Sequence, residues 1–245
     1  AALLEMTRGI MAWFGARWTE AAERCEAAGA ILGERCLGAH WEQTIAASFQ
    51  LGGLAMRGDL PRLLETLEGS IRAAEARGDD FAADNVRMTE PVLAWLAVDR
   101  PEEAERQFAL GSVRLEGGSG AWPEVAFRTQ HYHQLVARVL IALYRERPDE
   151  ALGALDDAWP QLKGAGFLRL SVIGVELRQL RARAALASGE PAQRKVAREE
   201  ARRIGRDPAP CSAPWAALLE AALAASEGRK AEAEARLRSA IAGFE

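Results

Sequence analysis

The chain has 245 residues, a formal net charge of -4, and a composition that is 49% hydrophobic, 27% charged and 7% aromatic. That much apolar content excludes disordered, low-complexity and collagen-like material, and the acidic balance argues against a general nucleic-acid binder. The most apolar stretch, Leu135 to Tyr144, contains Arg138 and is about half the roughly 20 residues a bilayer-crossing helix needs.

Apolar residues recur at helical spacing almost everywhere, and no stretch alternates as a half-buried strand does, so the chain reads as all-α. Helices are predicted from Leu3 to Phe14, Thr19 to Cys36, Trp41 to Met56, Pro61 to Ala76, Phe81 to Val98 and Pro101 to Leu115. Six more run from Pro123 to Arg145, Pro148 to Leu162, Leu168 to Ala187, Pro191 to Ile204, Pro214 to Ser226 and Lys230 to Phe244. Short turns of one kind punctuate them: GARWTEA from Gly15, RGDLPRL from Arg57, VDRPEEA from Val98, RERPDEA from Arg145, SGEPAQR from Ser188 and SEGRKAEA from Ser226. Proline at a first helical position loses no hydrogen bond, and an acidic neighbour suits the positive helix start, so each turn launches a second helix. Ala21, Leu64, Ala104, Ala151, Arg194 and Ala231 follow the turns at separations of about 40 residues. The expectation is a right-handed α-solenoid of about six antiparallel helix pairs, forming a single array over 1–245.

Longer connections fall at Arg77 to Asp80, Glu116 to Trp122, Lys163 to Phe167 and Gly205 to Ser212, and the second of them, with its Gly117 to Gly120 run, reads as a plain linker. Three cysteines, Cys25, Cys36 and Cys211, cannot all pair, and the first two sit three turns apart on one predicted helix. Reduced thiols and a cytoplasmic location are therefore expected. The sequence opens at Ala1 within a helical pattern and stops directly after an amphipathic run, which suggests a piece of a longer protein. Leu237, Ile241 and Phe244 line one end, and Ile10, Met11, Trp13 and Phe14 the other, so part of this apolar surface is expected to be exposed and to favour self-association.

Leu51 to Asp79, LGGLAMRGDLPRLLETLEGSIRAAEARGD, resembles a tetratricopeptide repeat, with Leu51 and Gly52 at the leucine-glycine position and Gly58 at the turn. Leu64 and Ile71 depart from the alanines usual there, and the spacing exceeds 34 residues, so the chain is tetratricopeptide-like. Over roughly Met56 to Phe244, segments such as VLAWLAVDRPEEAERQF, QHYHQLVARVLIALYRERPDEAL and RLRSAIAGFE resemble the helical region that follows the kinase and ATPase modules of large bacterial serine/threonine protein kinases. That resemblance implies a regulatory or protein-binding array without the phosphotransfer site.

The residues offer little chemistry of their own. No GxxxxGK[ST] string occurs, Asp80 and Phe81 are followed by alanine, and there is no HRD string, so no phosphotransfer site is expected within this chain. His131 and His133 point apart on a helix and cannot share a metal, and His40 has no clustered ligands; no metal and no cofactor are expected. The neighbouring pairs Asp156/Asp157 and Glu199/Glu200 diverge and read as solvated groups. Most of the seven tryptophans read as packing, with Trp41 and Trp122 as the exceptions. Arg194, Lys195, Arg198, Arg202, Arg203 and Arg206, with Arg178, Arg181 and Arg183 before them, form a basic cluster. It reads first as a solvated face, then as a surface for an acidic partner, and least as one for nucleic acid.

These observations favour a non-catalytic binding module for a peptide, a protein partner or the parent's own catalytic module. On the helix leading to Tyr144, Tyr132, Val136, Val139 and Leu143 make the buried stripe, leaving Gln130, His131, Gln134 and Arg138 as groove residues, with Asp84 and Arg87 on the preceding first helix. A small-molecule sensor, and an enzyme without a recognisable motif, are the alternatives.

Overall fold

A computed structural model describes residues 1–88, 91–117 and 127–244, with backbone alone over 113–117. Trp122, the 118–120 glycine-serine run and the helix start at Pro123 lie outside the described residues. The chain forms two compact units, Ala1–Ile141 and Ala142–Glu245. No strand occurs among the described residues, as the all-α reading requires.

The first unit contains α1 (Ala2–Phe14), α2 (Trp18–Arg35), α3 (His40–Met56), α4 (Leu60–Ala76), α5 (Asp80–Arg87), α6 (Val92–Ala97), α7 (Pro101–Gly117) and most of α8 (Thr129–Tyr144). The second contains α9 (Pro148–Gly164), a 3-10 turn (Phe167–Arg169), α10 (Ser171–Ala187), α11 (Pro191–Ile204), α12 (Ser212–Ser226) and α13 (Lys230–Phe244). Within the first, α1 packs on α2, α2 on α3, α3 on α4 and α6 on α7; within the second, α10 packs on α11, α11 on α12 and α12 on α13. None of the described helices is long and apolar enough to cross a membrane.

All six recurring turns share one backbone device. The middle residue of each takes a left-handed φ: Ala16, Gly58, Asp99, Glu146, Gly189 and Gly228 lie between 55° and 76°. This reverses the chain in three residues. In five turns the next amide, that of Arg17, Asp59, Arg100, Arg147 or Arg229, donates back to a carbonyl of the finished helix, for example Arg147 N to Ala142 O at 2.8 Å. Carbonyls that the helix end leaves open are thereby satisfied. At Gly189 the Ser188 hydroxyl substitutes, accepting the Glu190 amide at 3.3 Å. The new helix begins with an amide bonded four residues back, at Ala21, Leu63, Ala104, Ala151, Arg194 and Ala233. The repeat register therefore runs through Leu63 and Ala233, not Leu64 and Ala231; Leu63 is fully buried and Leu64 only partly.

Two predicted boundaries shift. The helix expected from Phe81 to Val98 is two, because Pro91 cannot donate to the ladder and caps α6 instead. The one expected from Leu168 is a 3-10 turn followed by α10, whose Gly174 lies so close to the Leu168 carbonyl that a Cβ would stand 2.9 Å from it. Trp13 is buried, 5% exposed, with rings of Phe14, Trp18 and Phe49 edge-on around it. Its indole nitrogen sits where a side chain on Gly52 would begin, 2.8 Å from that Cβ position, which explains the Leu51-Gly52 pair. The exposed apolar line of α1 is instead Leu3, Leu4, Met11 and Phe14, while α13 exposes Leu237, Ile241 and Phe244.

Candidate binding surface

In the first unit Asp84 and Arg87 of α5 turn inward. Arg87 donates from Nε to Gln107 Oε1 (2.8 Å), from Nη1 to Asp84 Oδ1 (3.1 Å) and from Nη2 to Glu75. Gln107 in turn donates to Glu103 at 2.8 Å, and Arg106 grips the same carboxylate at 2.9 and 2.6 Å. The guanidinium of Arg106 holds the Glu103 carboxyl down at about 2 despite its partial burial. Asp84 and Arg87 are both buried, and this network joins α4, α5 and α7. Every nitrogen of Arg87 is used within the protein.

Helix α8 follows the expected division at most positions, but Leu143 of the expected stripe is only half-buried. Tyr132, Val136 and Val139 are buried, Gln130 and Gln134 are half-buried, and His131 and Arg138 are exposed. His131 also has a local duty: its Nδ1 accepts the Arg128 amide at 3.0 Å, closing the N-terminus of α8 as a capping-box side chain does. That bond assigns the ring proton to Nε2, which faces away from the cap. His133, two residues on, is driven in the other direction, since burial lowers its imidazole to about 4. Gln130, His131, Gln134 and Arg138 thus share one helix, whereas Asp84 and Arg87 lie in the ionic network of α5.

In the second unit the basic cluster separates into two classes of arginine. Glu200, expected to be solvated, is 1% exposed. Its carboxylate receives Arg178 at 2.7 Å, Arg181 at 3.3 Å and Arg203 at 3.2 Å. Arg181 also reaches Asp156 at 2.7 Å and lies over the Trp159 ring, with its guanidinium carbon 4.5 Å from the ring centre. A cation on an indole face, held from both sides by carboxylates, is a rigid arrangement. Glu200 belongs on the buried stripe of α11 with Ala197, Ala201 and Ile204, and that spacing was the available sign in the sequence.

Of the remaining cations on and just past α11, Lys195, Arg202 and Arg206 are exposed and Arg194 and Arg198 half-buried. Arg198 pairs with Glu227, and Arg203 also reaches Glu199. Arg194, Lys195, Arg202 and Arg206 form no ion pair among the described residues. Lys195, Arg198, Arg202, Arg203 and Arg206, with Glu199 among them, line one shallow basin of about 700 Å³. A second pocket of about 180 Å³, bounded by α11, α12 and α13, adjoins it through Arg198 and Arg202. Of the two aromatic exceptions, Trp41 is 58% exposed and stacks on Phe81 at 5.4 Å. Among the described residues no three metal-ligating side chains come together.

No family model matches this chain. No curated protein matches it either. Among solved structures, a crystal structure of the apo form of RapI has a similar fold, with a TM-score of 0.62 at 9% sequence identity, covering 99% of this chain and 82% of RapI. At that identity the likeness is one of fold alone, and it extends over nearly all of an all-helical chain whose helix pairs recur through one turn device.

Proposed function

We propose that the chain is a non-catalytic regulatory module that recognises a peptide or a protein partner, with α8 contributing to the recognition face. One observation carries this reading: α8 buries Tyr132, Val136 and Val139 and presents Gln130, His131, Gln134 and Arg138 away from them. Stacked helical repeats bind partners through extended surfaces built from such helix faces. Asp84 and Arg87 belong to this reading as the support that fixes α5. In its fuller form, the proposal places the chain in the cytoplasm as the C-terminal sensor or scaffold part of a bacterial signalling kinase or ATPase. It is then a right-handed array that engages either a separate protein or its parent's catalytic module.

The test begins with peptides selected from a random display library against the purified chain. Their affinity for His131→Ala/Arg138→Ala should fall at least about tenfold, the size of effect expected when two polar contacts of roughly 1 kcal/mol each are removed. Selected peptides that bind the double variant as tightly as the parent would rule out α8. Turnover of ATP that survives repurification would overturn the non-catalytic assignment.

A further inference from the structure

We propose that the outer face of α11, carrying Lys195, Arg202 and Arg206, is a docking stripe for an acidic segment of a partner protein. This surface is separate from α8 and lies wholly in the second unit. The structure distinguishes its cations from the rest of the basic cluster. Arg178, Arg181 and Arg203 are held by the buried Glu200. Lys195, Arg202 and Arg206 are exposed, form no ion pair among the described residues and open onto the same basin as Arg198.

Helix geometry gives the stripe its order. Positions 195, 198, 202 and 206 follow one face, which Glu199 shares while it is held by Arg203, and at 1.5 Å per residue successive cations lie about 4.5, 6 and 6 Å apart along the axis. Gly205 keeps a right-handed helical conformation and the Arg206 amide bonds to Arg203, so the path continues past Ile204. Carboxylates four residues apart on a partner helix repeat at about the same 6 Å. The Arg198 site is already shaped for a carboxylate, since Glu227 sits on it, and an incoming carboxylate would exchange with Glu227 like for like.

The helix dipole does not account for this arrangement. It favours cations near the C-terminus, where Arg202 and Arg203 stand, but does not reach Lys195, the fifth residue of α11. The surroundings also favour a peptide over a nucleic acid. Trp159 is covered by Arg181 and Trp215 packs edge-on against Phe244, so neither ring is a free stacking platform. Glu199, Glu220 and Glu232 interrupt the positive surface, which penalises a continuous phosphate chain more than a peptide with discrete charges.

The probes are two alanine-rich helical peptides of equal length and charge, one with glutamates aligned every fourth residue and one with them dispersed around the helix, beside an oligothymidylate of equal charge. Fluorescence anisotropy is read at low salt and at 0.3 M salt on the full chain and on Lys195→Gln/Arg202→Gln/Arg206→Gln. Because these three side chains are exposed and unpaired, the variant should retain its helicity and melting temperature, which are measured alongside. The aligned peptide should bind best, lose about tenfold on the triple variant and weaken in salt, as three exposed ionic contacts would. Absence of binding, equal binding of the dispersed peptide, indifference to the triple substitution, or tighter binding of the oligonucleotide would each overturn the proposal. The α8 test reads substitutions at His131 and Arg138, so either surface can fail alone.

Discussion

Glu200→Ala should strongly destabilise the second unit. It removes the carboxylate shared by Arg178, Arg181 and Arg203 and leaves two guanidinium groups, each with a side chain 21% exposed, facing an empty buried site. Breaking a buried pair from one side costs about 3–5 kcal/mol. Here Asp156 and the Trp159 ring still hold Arg181, and both arginines keep some access to water, so about 2–3 kcal/mol is the appropriate figure. In a unit of this size that corresponds to a melting shift of roughly 10–20 °C, and to a loss of amide-exchange protection of roughly fiftyfold along α10 and α11. Glu199→Ala is the internal control. Its carboxylate is exposed and meets only Arg203, so it should stay within about 0.5 kcal/mol of the parent. Equal melting temperatures for the two variants, or exchange in α10 unchanged by Glu200→Ala, would refute the view that Glu200 organises this helix pair.

Three other outcomes follow from the geometry. Glu146 holds φ at 56° without being glycine, so Glu146→Gly should raise stability by about 0.5–1 kcal/mol, and a lower melting temperature would count against the strain. Burial depresses the His133 imidazole to about 4, so the folded chain resists a proton that the unfolded chain takes up near pH 6.5. Its contribution is therefore intact above pH 6.5 and lost as pH falls toward 4, about 2 kcal/mol by pH 5, whereas Glu103, at about 2, matters only below the ordinary carboxylate range. Urea midpoints at pH 7 and 5 should show this slope in the parent and not in His133→Gln. Burial raises Cys25 to about 12 and Cys211 to about 11, while Cys36 is exposed, so an aromatic disulfide reagent at pH 8 should titrate one thiol in the folded chain and none in Cys36→Ser.

Helix positions were legible because apolar periodicity and N1 prolines are local signals. The turn device was legible only where glycine marks it, as at Gly58, Gly189 and Gly228; Ala16, Asp99 and Glu146 reach the same backbone region with no such mark. The α8 division could be read from Tyr132, Val136 and Val139, yet the capping bond of His131 could not, because it depends on where the helix starts. The buried ions were missed for a different reason. Arg87 meets Gln107 from α7, and Glu200 meets Arg178 and Arg181 from α10; spacing within one helix carries no trace of such partners. What the sequence did contain was a charged residue on an apolar stripe, Glu200 beside Ala197, Ala201 and Ile204, and that pattern should be read as a request for a partner rather than as a solvated position.

The two buried ionic sites also answer a difficulty that an alanine-rich chain creates. Many of the buried positions of α10 and α11 are alanines: Ala182, Ala184 and Ala185 on one helix, Ala197 and Ala201 on the other. Small residues let helices approach closely but give little shape to interlock, and a shift by one turn would bury nearly the same area. Glu200 meets three guanidinium groups in one register only, and slipping α11 would leave a carboxylate buried without them, at a cost of several kcal/mol. The same logic holds in the first unit, where Arg87 reaches Glu75, Asp84 and Gln107 among alanines such as Ala74, Ala82 and Ala83. Burial thus supplies the attraction and the ions supply the register. Because the arginines that fix the register are consumed in doing so, the cations left over on α11 are those available to a partner.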